Sequence, residues 1–240
     1  MARLPMYRQI AEAIKAKIQS GEYLPGEALP TEAQLREAHS VSRVTVRQAL
    51  KLLIEQNVLE SIQGSGTYVK DNKVNYDMYQ YSSFEEKLSH LNVKTHSEIL
   101  AFEITVPSQA IAEALEIAPN ERIFYVKRVR FIDDNPVTLE ETWLPLSLFP
   151  DLSYEVMQGS KYEYIEGTKK MVIDRSEQEI IPVLPPEEVV KQLGIPAEQP
   201  IIEKITKGYL ADGTVFEYSR NYFKSSDYKF TLVAKRNRHY

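Results

Sequence analysis

The sequence predicts an α+β protein built in two parts. Three observations lead there. The 240 residues are long for one domain and comfortable for two. The first seventy hold three short helical patterns and a glycine-turned hairpin, and the remainder repeats a helix–strand–turn–strand unit. The expected boundaries are 1–70 for the first part, 71–81 for a linker and 82–240 for the second.

Composition narrows the classes. Apolar residues at 43% and charged residues at 26% suit a globular chain that buries a core. The absence of cysteine excludes disulfides, thiol catalysis and cysteine-ligated metals. Nothing resembles a signal peptide, and no apolar run approaches the ~18 residues of a membrane span. The expectation is a cytoplasmic protein with no membrane partner. His39, His90, His96 and His239 show neither metal-ligand nor triad spacing, and no nucleophile motif appears. No catalytic residue, metal or cofactor is therefore expected. The net charge of −5 is unevenly spread: residues 1–70 carry nine Lys/Arg against seven Asp/Glu, the remainder 20 against 27. A mildly basic head on an acidic body fits a chain that touches phosphates with one end only.

Tyr7, Ile10, Ala11, Ile14 and Ile18 recur at helical spacing between Met6 and Ser20, and Gly21 stops that helix. Tyr23-Leu24-Pro25-Gly26 is a turn. Thr31 caps a short second helix, with Gln34 as its capping-box partner, and this helix ends near His39. Ser42 opens a third helix, capping the amide of Val44 or Thr45. At about 100° per residue, Val46, Ala49, Leu50 and Leu53 fall on one face. Val44, Arg47, Gln48 and Lys51 fall opposite, with Arg43 and Thr45 on the flanks. Two helices joined by a short turn, the second turning basic and amide groups outward, make a helix-turn-helix. Arg binds guanine and Gln binds adenine bidentately in the major groove, while Ser and Thr reach phosphate. Residues 58–63 and 67–70 read as strands about the turn Gly64-Ser65-Gly66, a wing beside the helix. Taken singly, a basic face opposite a core stripe is usually only solvated. The ordered set is the signal.

Leu29-Pro30-Thr31-Glu32, Val41-Ser42-Arg43-Val44-Thr45-Val46-Arg47-Gln48-Ala49-Leu50 and Gln63-Gly64-Ser65-Gly66-Thr67-Tyr68-Val69 resemble the DNA-binding head of the GntR superfamily. The resemblance implies that Arg43, Thr45 and Arg47 contact operator DNA, with Ser42 on phosphate and Gly64, Ser65 and Gly66 at the wing tip; the outward face of the helix adds Gln48. Many members have Arg where Ala33 and Ser65 stand. Side-chain contacts from those two positions are not carried over, which shifts the expected base readout toward Arg43 and Arg47.

Residues 71–81 show no period and read as the linker. Ser82-Ser83-Phe84-Glu85-Glu86 opens a further helix. Beyond it, Leu115-Glu116-Ile117 is echoed by Leu193-Gly194-Ile195, Ile123 by Ile201, and Asp134-Asn135 by Asp212-Gly213, at a spacing of 78 residues. After a one-residue offset, Leu139 and Glu140 fall on Phe216 and Glu217. Each copy reads as a helix followed by a hairpin, so the body is an antiparallel-sheet α+β domain with pseudo-two-fold symmetry. Strand 123–132 places Arg128 and Arg130 on one face with Phe124, Val126 and Ile132. If that face is inside, the guanidiniums need an anion: a phosphate or carboxylate ligand, or Glu140 or Glu217. If it is outside, they need none.

From Ser82 onward the chain resembles the UTRA effector domain of the HutC subfamily, whose fold is similar to chorismate lyase but which the family uses for binding. The resemblance implies a small anionic effector such as a sugar phosphate, met by Ser83, Phe84, Arg128, Arg130, Glu140, Ser160, Tyr162 and Glu217. It implies a homodimeric regulator of transcription. An enzyme of the lyase type is the competing reading, and the residues leave the sign of regulation open.

Overall fold

Hydroxyls placed just ahead of apolar periodic runs start most of the helices. The computed structural model describes residues 4–56, 58–71, 73–89 and 93–234. His90, His239 and Asn72 of the expected linker lie outside the described residues. The chain divides into two compact units, Met1–Lys73 and Val74–Tyr240.

In the first unit, α1 (Met6–Gln19), α2 (Glu32–His39) and α3 (Arg43–Glu55) precede the strands β1 (Leu59–Ile62) and β2 (Gly66–Val69). Thr31 and Gln34 form the expected capping box. The Ser42 side chain accepts from the Thr45 amide, settling which of two amides it caps. Val46, Ala49, Leu50 and Leu53 are all buried, packed with Ile10, Ala11, Ile14, Leu35, Leu59 and Val69. β1 and β2 are antiparallel, Leu59 facing Val69 and Ile62 facing Gly66. The turn between them bends through Gly64, whose φ of +77° favours a residue without a Cβ.

In the second unit, β4 (Thr95–Thr105), α5 (Gln109–Leu115), β5 (Ile123–Ile132) and β6 (Asn135–Pro145) form one copy of the repeat; β7 (Ile173–Val183), α7 (Glu187–Leu193), β8 (Ile201–Leu210) and β9 (Val215–Phe223) form the other. Between the copies lie α6 (Tyr154–Gln158) and a π-helical turn, Glu163–Thr168. The six strands form one sheet in the order β4-β5-β6-β9-β8-β7, antiparallel throughout, with the copies meeting at β6 and β9. The repeat is one strand longer than its sequence signature, because β4 and β7 also correspond at the 78-residue offset. Helix α7 covers Val129 and Leu139 on one face of the sheet. Residues of 146–171 cover Phe124 and Val126 on the other. Arg128 and Arg130 share this second face, so they are inside.

Two expectations need correction. The stretch 71–81 is not a linker throughout: Val74–Asp77 forms β3, paired in parallel with β10 (Tyr228–Thr231). Val74 and Tyr76 are buried against Leu88, Val137, Phe223 and Tyr228. The strand escaped notice because four residues give too short an alternation, and its partner lies at the far end of the chain. The first hairpin turn sits on Asp133-Asp134 rather than Asp134-Asn135, since Ile132 pairs with Asn135. Asp133 takes the left-handed conformation (φ +52°) and exchanges hydrogen bonds with the Lys94 backbone.

At Gly208 in β8, an added Cβ would lie 2.5 Å from the Tyr81 hydroxyl, 2.8 Å from the Phe216 ring and 2.9 Å from Glu217 Cγ. Gly208→Ala should therefore destabilise the chain by about 1–3 kcal/mol through overpacking. Urea unfolding followed by tryptophan fluorescence measures this, since Trp143 lies in the same sheet; an unchanged midpoint would contradict the packing.

Candidate functional site

Two sets of polar side chains stand out, one in each unit. On α3 the Arg43 and Arg47 side chains are 68% and 62% exposed, yet both are held by the same carboxylate. Each donates from Nε to Glu32 of α2 at 3.0 Å. The Arg43 hydrogen bond, outweighing partial desolvation, holds the Glu32 carboxyl below its ordinary range. Ser42, at the helix start, pairs its hydroxyl with that of Thr45 at 2.9 Å. Gln48 is exposed, as are Gly64, Ser65 and Gly66 at the hairpin tip, where the Ser65 hydroxyl meets that of Tyr68 at 2.5 Å. The eight residues expected at a nucleic-acid surface thus occupy the start and outer face of α3 and the hairpin tip.

The second unit contains a cavity of about 620 Å³, counting its open mouth. Ser83, Phe84, Arg130, Glu140, Ser160 and Tyr162 line it, drawing together residues from β5, β6, α4 (Phe84–Leu88) and the segment after α6. Arg128 and Glu217, expected to meet the ligand, are fully buried and stand behind the lining. Arg128 is opposite Glu140 across the β5–β6 ladder. It donates to Glu140 from Nε at 2.9 Å and from Nη2 at 3.3 Å, and its Nη1 serves the carbonyls of Met157 and Gly159. Arg130 donates from Nε to the same carboxylate at 3.2 Å, and from Nη1 to Glu85 and Ser97. Of the two inward readings of this face, a protein carboxylate supplies the pairing. Glu217 accepts from Tyr81 at 2.7 Å and from Tyr162.

Lys161 joins the two glutamates, with Nζ 2.8 Å from Glu140 and 2.5 Å from Glu217. Burial by itself would raise the Glu140 carboxyl, but Arg128, Lys161 and Arg130 together hold it well below its usual range. Lys161, Lys204, Lys87, Tyr76 and Thr206 also line this site, and the sequence reading did not single them out. Lys204 had a signal: the 78-residue repeat places Val126, Arg128 and Arg130 on Lys204, Thr206 and Gly208, the same face in the second copy. Among the described residues, no group of three or more His, Asp or Glu could hold a metal, and no helix is long and apolar enough to cross a membrane.

The two units match two known family models: the gntR family of bacterial regulatory proteins over residues 6–69 and the UTRA domain over residues 90–229. The mannosyl-D-glycerate transport/metabolism system repressor MngR of Escherichia coli is 58% identical over 98% of both chains. The chain belongs to the GntR family. Within that family it carries a UTRA effector domain, and it is a DNA-binding transcriptional repressor of the MngR type. The repressor NagR of Bacillus subtilis is 30% identical over 97% of this chain and 96% of its own. The crystal structure of YydK from the same organism superposes with a TM-score of 0.62 at 26% identity, over 97% of this chain and all of the other. PhnF of Mycobacterium smegmatis, at 22% identity over 95% of this GntR chain and all of its own, shares the fold with a TM-score of 0.66.

Glu140→Gln leaves Arg128, Arg130 and Lys161 facing a neutral amide in the interior. Breaking a buried ion pair from one side costs about 3–5 kcal/mol. The variant should melt well below the parent at neutral pH, and differential scanning calorimetry would show it. Equal melting temperatures would mean that the carboxylate does not organise this site.

Proposed function

We propose that this repressor binds a near-palindromic operator as a homodimer and releases it when an anionic sugar derivative fills the cavity. Phosphorylated mannosylglycerate is the leading effector, and genes for carbohydrate uptake and metabolism are the target. The observation that carries the reading is the cavity: its wall holds four cationic side chains, Arg130, Lys161, Lys204 and Lys87, against the one carboxylate of Glu140, which suits an anion. Support for the sugar comes from the relative whose name gives mannosyl-D-glycerate. Arg130 and the Ser160 hydroxyl would take the phosphate, and Glu140 and Tyr162 would meet sugar hydroxyls. Ser83 and Phe84 would close the wall beside them. Arg128 and Glu217 would act one layer back, by fixing Glu140, Lys161 and Tyr162.

On the DNA side, Arg43, Arg47 and Gln48 would read base edges, Ser42 and Thr45 would hold phosphate, and Gly64 to Gly66 would bring the wing to the backbone. A two-fold dimer places two such helices in successive major-groove turns, which is why the operator should be nearly symmetric. Release requires the effector to favour the conformation that does not bind operator, with a coupling of roughly 1–3 kcal/mol. The protein works by binding rather than turnover, in a cytoplasmic setting. Release of a product from a sugar phosphate or a chorismate-like compound would overturn that.

A gel shift with the cognate promoter fragment tests the DNA assignment. Arg47→Ala should reduce specific binding by roughly 10- to 100-fold, the worth of one bidentate base contact, and leave weak binding to random duplex. Specific binding that survives unchanged would remove α3 as the reading helix. For the cavity, Arg130→Lys should still bind operator while needing much more phosphorylated mannosylglycerate for release. In the parent protein, the effector at 100 times its Kd should add about 2.7 kcal/mol of stability. A panel of phosphorylated sugars that shifts neither melting nor operator binding would reject the effector reading.

A further inference from the structure

The charged side chains of the cavity separate into two groups. Arg128, Arg130 and Lys161 are matched by the carboxylates of Glu140, Glu85 and Glu217. Lys204 and Lys87 are not matched in this way: among the described residues neither forms an ion pair with a carboxylate. Lys204, only 6% exposed, donates to the Tyr76 hydroxyl and lies 4.6 Å from the centre of that ring. Lys87 Nζ lies 4.1 Å from the centre of the same ring and donates to the Ser82 carbonyl. A phenol and a carbonyl accept hydrogen bonds but supply no compensating charge, and burial penalises an uncompensated ammonium. The penalty shows in both groups: burial lowers the pKa of Lys87, and that of Lys204 to about 8.

A second observation points to the same end of the cavity. Thr206, two residues along β8 from Lys204 and on the same face, is 1% exposed, lines the cavity, and has a hydroxyl with no hydrogen-bond partner among the described residues. Buried hydroxyls are normally satisfied. One buried and one partly buried ammonium, neither in an ion pair with a carboxylate among the described residues, and one idle hydroxyl thus gather where β8 faces Tyr76. The groups are ammonium point charges rather than planar forks, which suits a small anion better than a bidentate phosphate seat.

We propose that the Tyr76 end of the cavity is a second anion subsite, in which Lys204, Lys87 and Thr206 receive a carboxylate of the effector. This rests on the effector reading above and deepens it: the inducer is a phosphorylated sugar that also carries a carboxylate. Its phosphate goes to Arg130 and Ser160, and its carboxylate displaces the Tyr76 hydroxyl from Lys204. A sugar phosphate lacking the acid fills only half of the site.

Calorimetric titration of the full-length protein with two probes tests this. One probe is D-mannose 6-phosphate; the other is mannosyl-D-glycerate phosphorylated on its mannose. The parent should bind the second more tightly. Lys204→Met should weaken the second by about 10- to 100-fold, the worth of a charge-assisted hydrogen bond, and change the first by less than about twofold. Without ligand, Lys204→Met should melt no lower than the parent, because it removes a buried uncompensated charge. A merely structural lysine would instead lower the melting temperature and weaken both probes alike; that result overturns the subsite, as does unchanged affinity for the second probe. Parent protein that binds neither probe rejects the effector reading and the subsite with it. Mannose 6-phosphate binding that is lost in Arg130→Lys, combined with no effect of Lys204→Met, rejects the subsite alone.

Discussion

A carboxylate without solvent must be held by positive charge, and Glu140 is held by three groups at once. The side chains around the cavity depend on that arrangement. Arg128 is saturated by Glu140 and two carbonyls, so it fixes the sheet to the end of α6. Arg130 shares the carboxylate and keeps one edge of its guanidinium for Glu85 and Ser97. Lys161 carries the connection on to Glu217, and through it to Tyr81 and Tyr162. Ionic networks of this kind add little stability compared with an apolar core of equal volume. What they provide is polar groups fixed in place before any ligand arrives.

The repeat sets two equivalent strand faces toward the cavity, and each copy carries its cations at positions the other does not. The inward face of β5 carries Val126, Arg128 and Arg130; the corresponding face of β8 carries Lys204, Thr206 and Gly208. The copies have diverged in complementary ways. Gly208 makes room for Tyr81, Phe216 and Glu217, where Arg130 occupies the first copy. The first copy kept its charges paired across the β5–β6 ladder, while the second left its lysine facing a tyrosine.

Local chemistry was legible in the sequence wherever partners lay close along the chain. The capping box at Thr31, the cap at Ser42, the buried stripe of α3 and the hairpin at Gly64 all follow from neighbours within a few residues. The repeat pointed to the antiparallel sheet, although β4 and β7 carry too little shared identity to be seen as its first strands. The pairing of Arg128 with Glu140 needed more than the turn, because a register shift between Arg130 and Phe131 sets it. Three things were hidden. β3 has its partner at the opposite end of the chain. Lys161 stands between two residues that were singled out, and only the tertiary fold turns it inward. The third is the depth of Arg128 and Glu217, because a strand pattern shows which face a residue takes but not how many layers cover it.

Strand β3 also bears on how the protein can be dissected. The UTRA match begins at residue 90, yet Tyr76, Ser83, Phe84 and Lys87 of the cavity wall all precede it. A fragment trimmed to the recognised boundary would strip one side from the pocket, leave β10 with an unpaired edge and open Lys204 to water. Such a truncated domain would report on a shallower and differently lined cleft. A fragment that keeps the whole cavity wall starts no later than Val74.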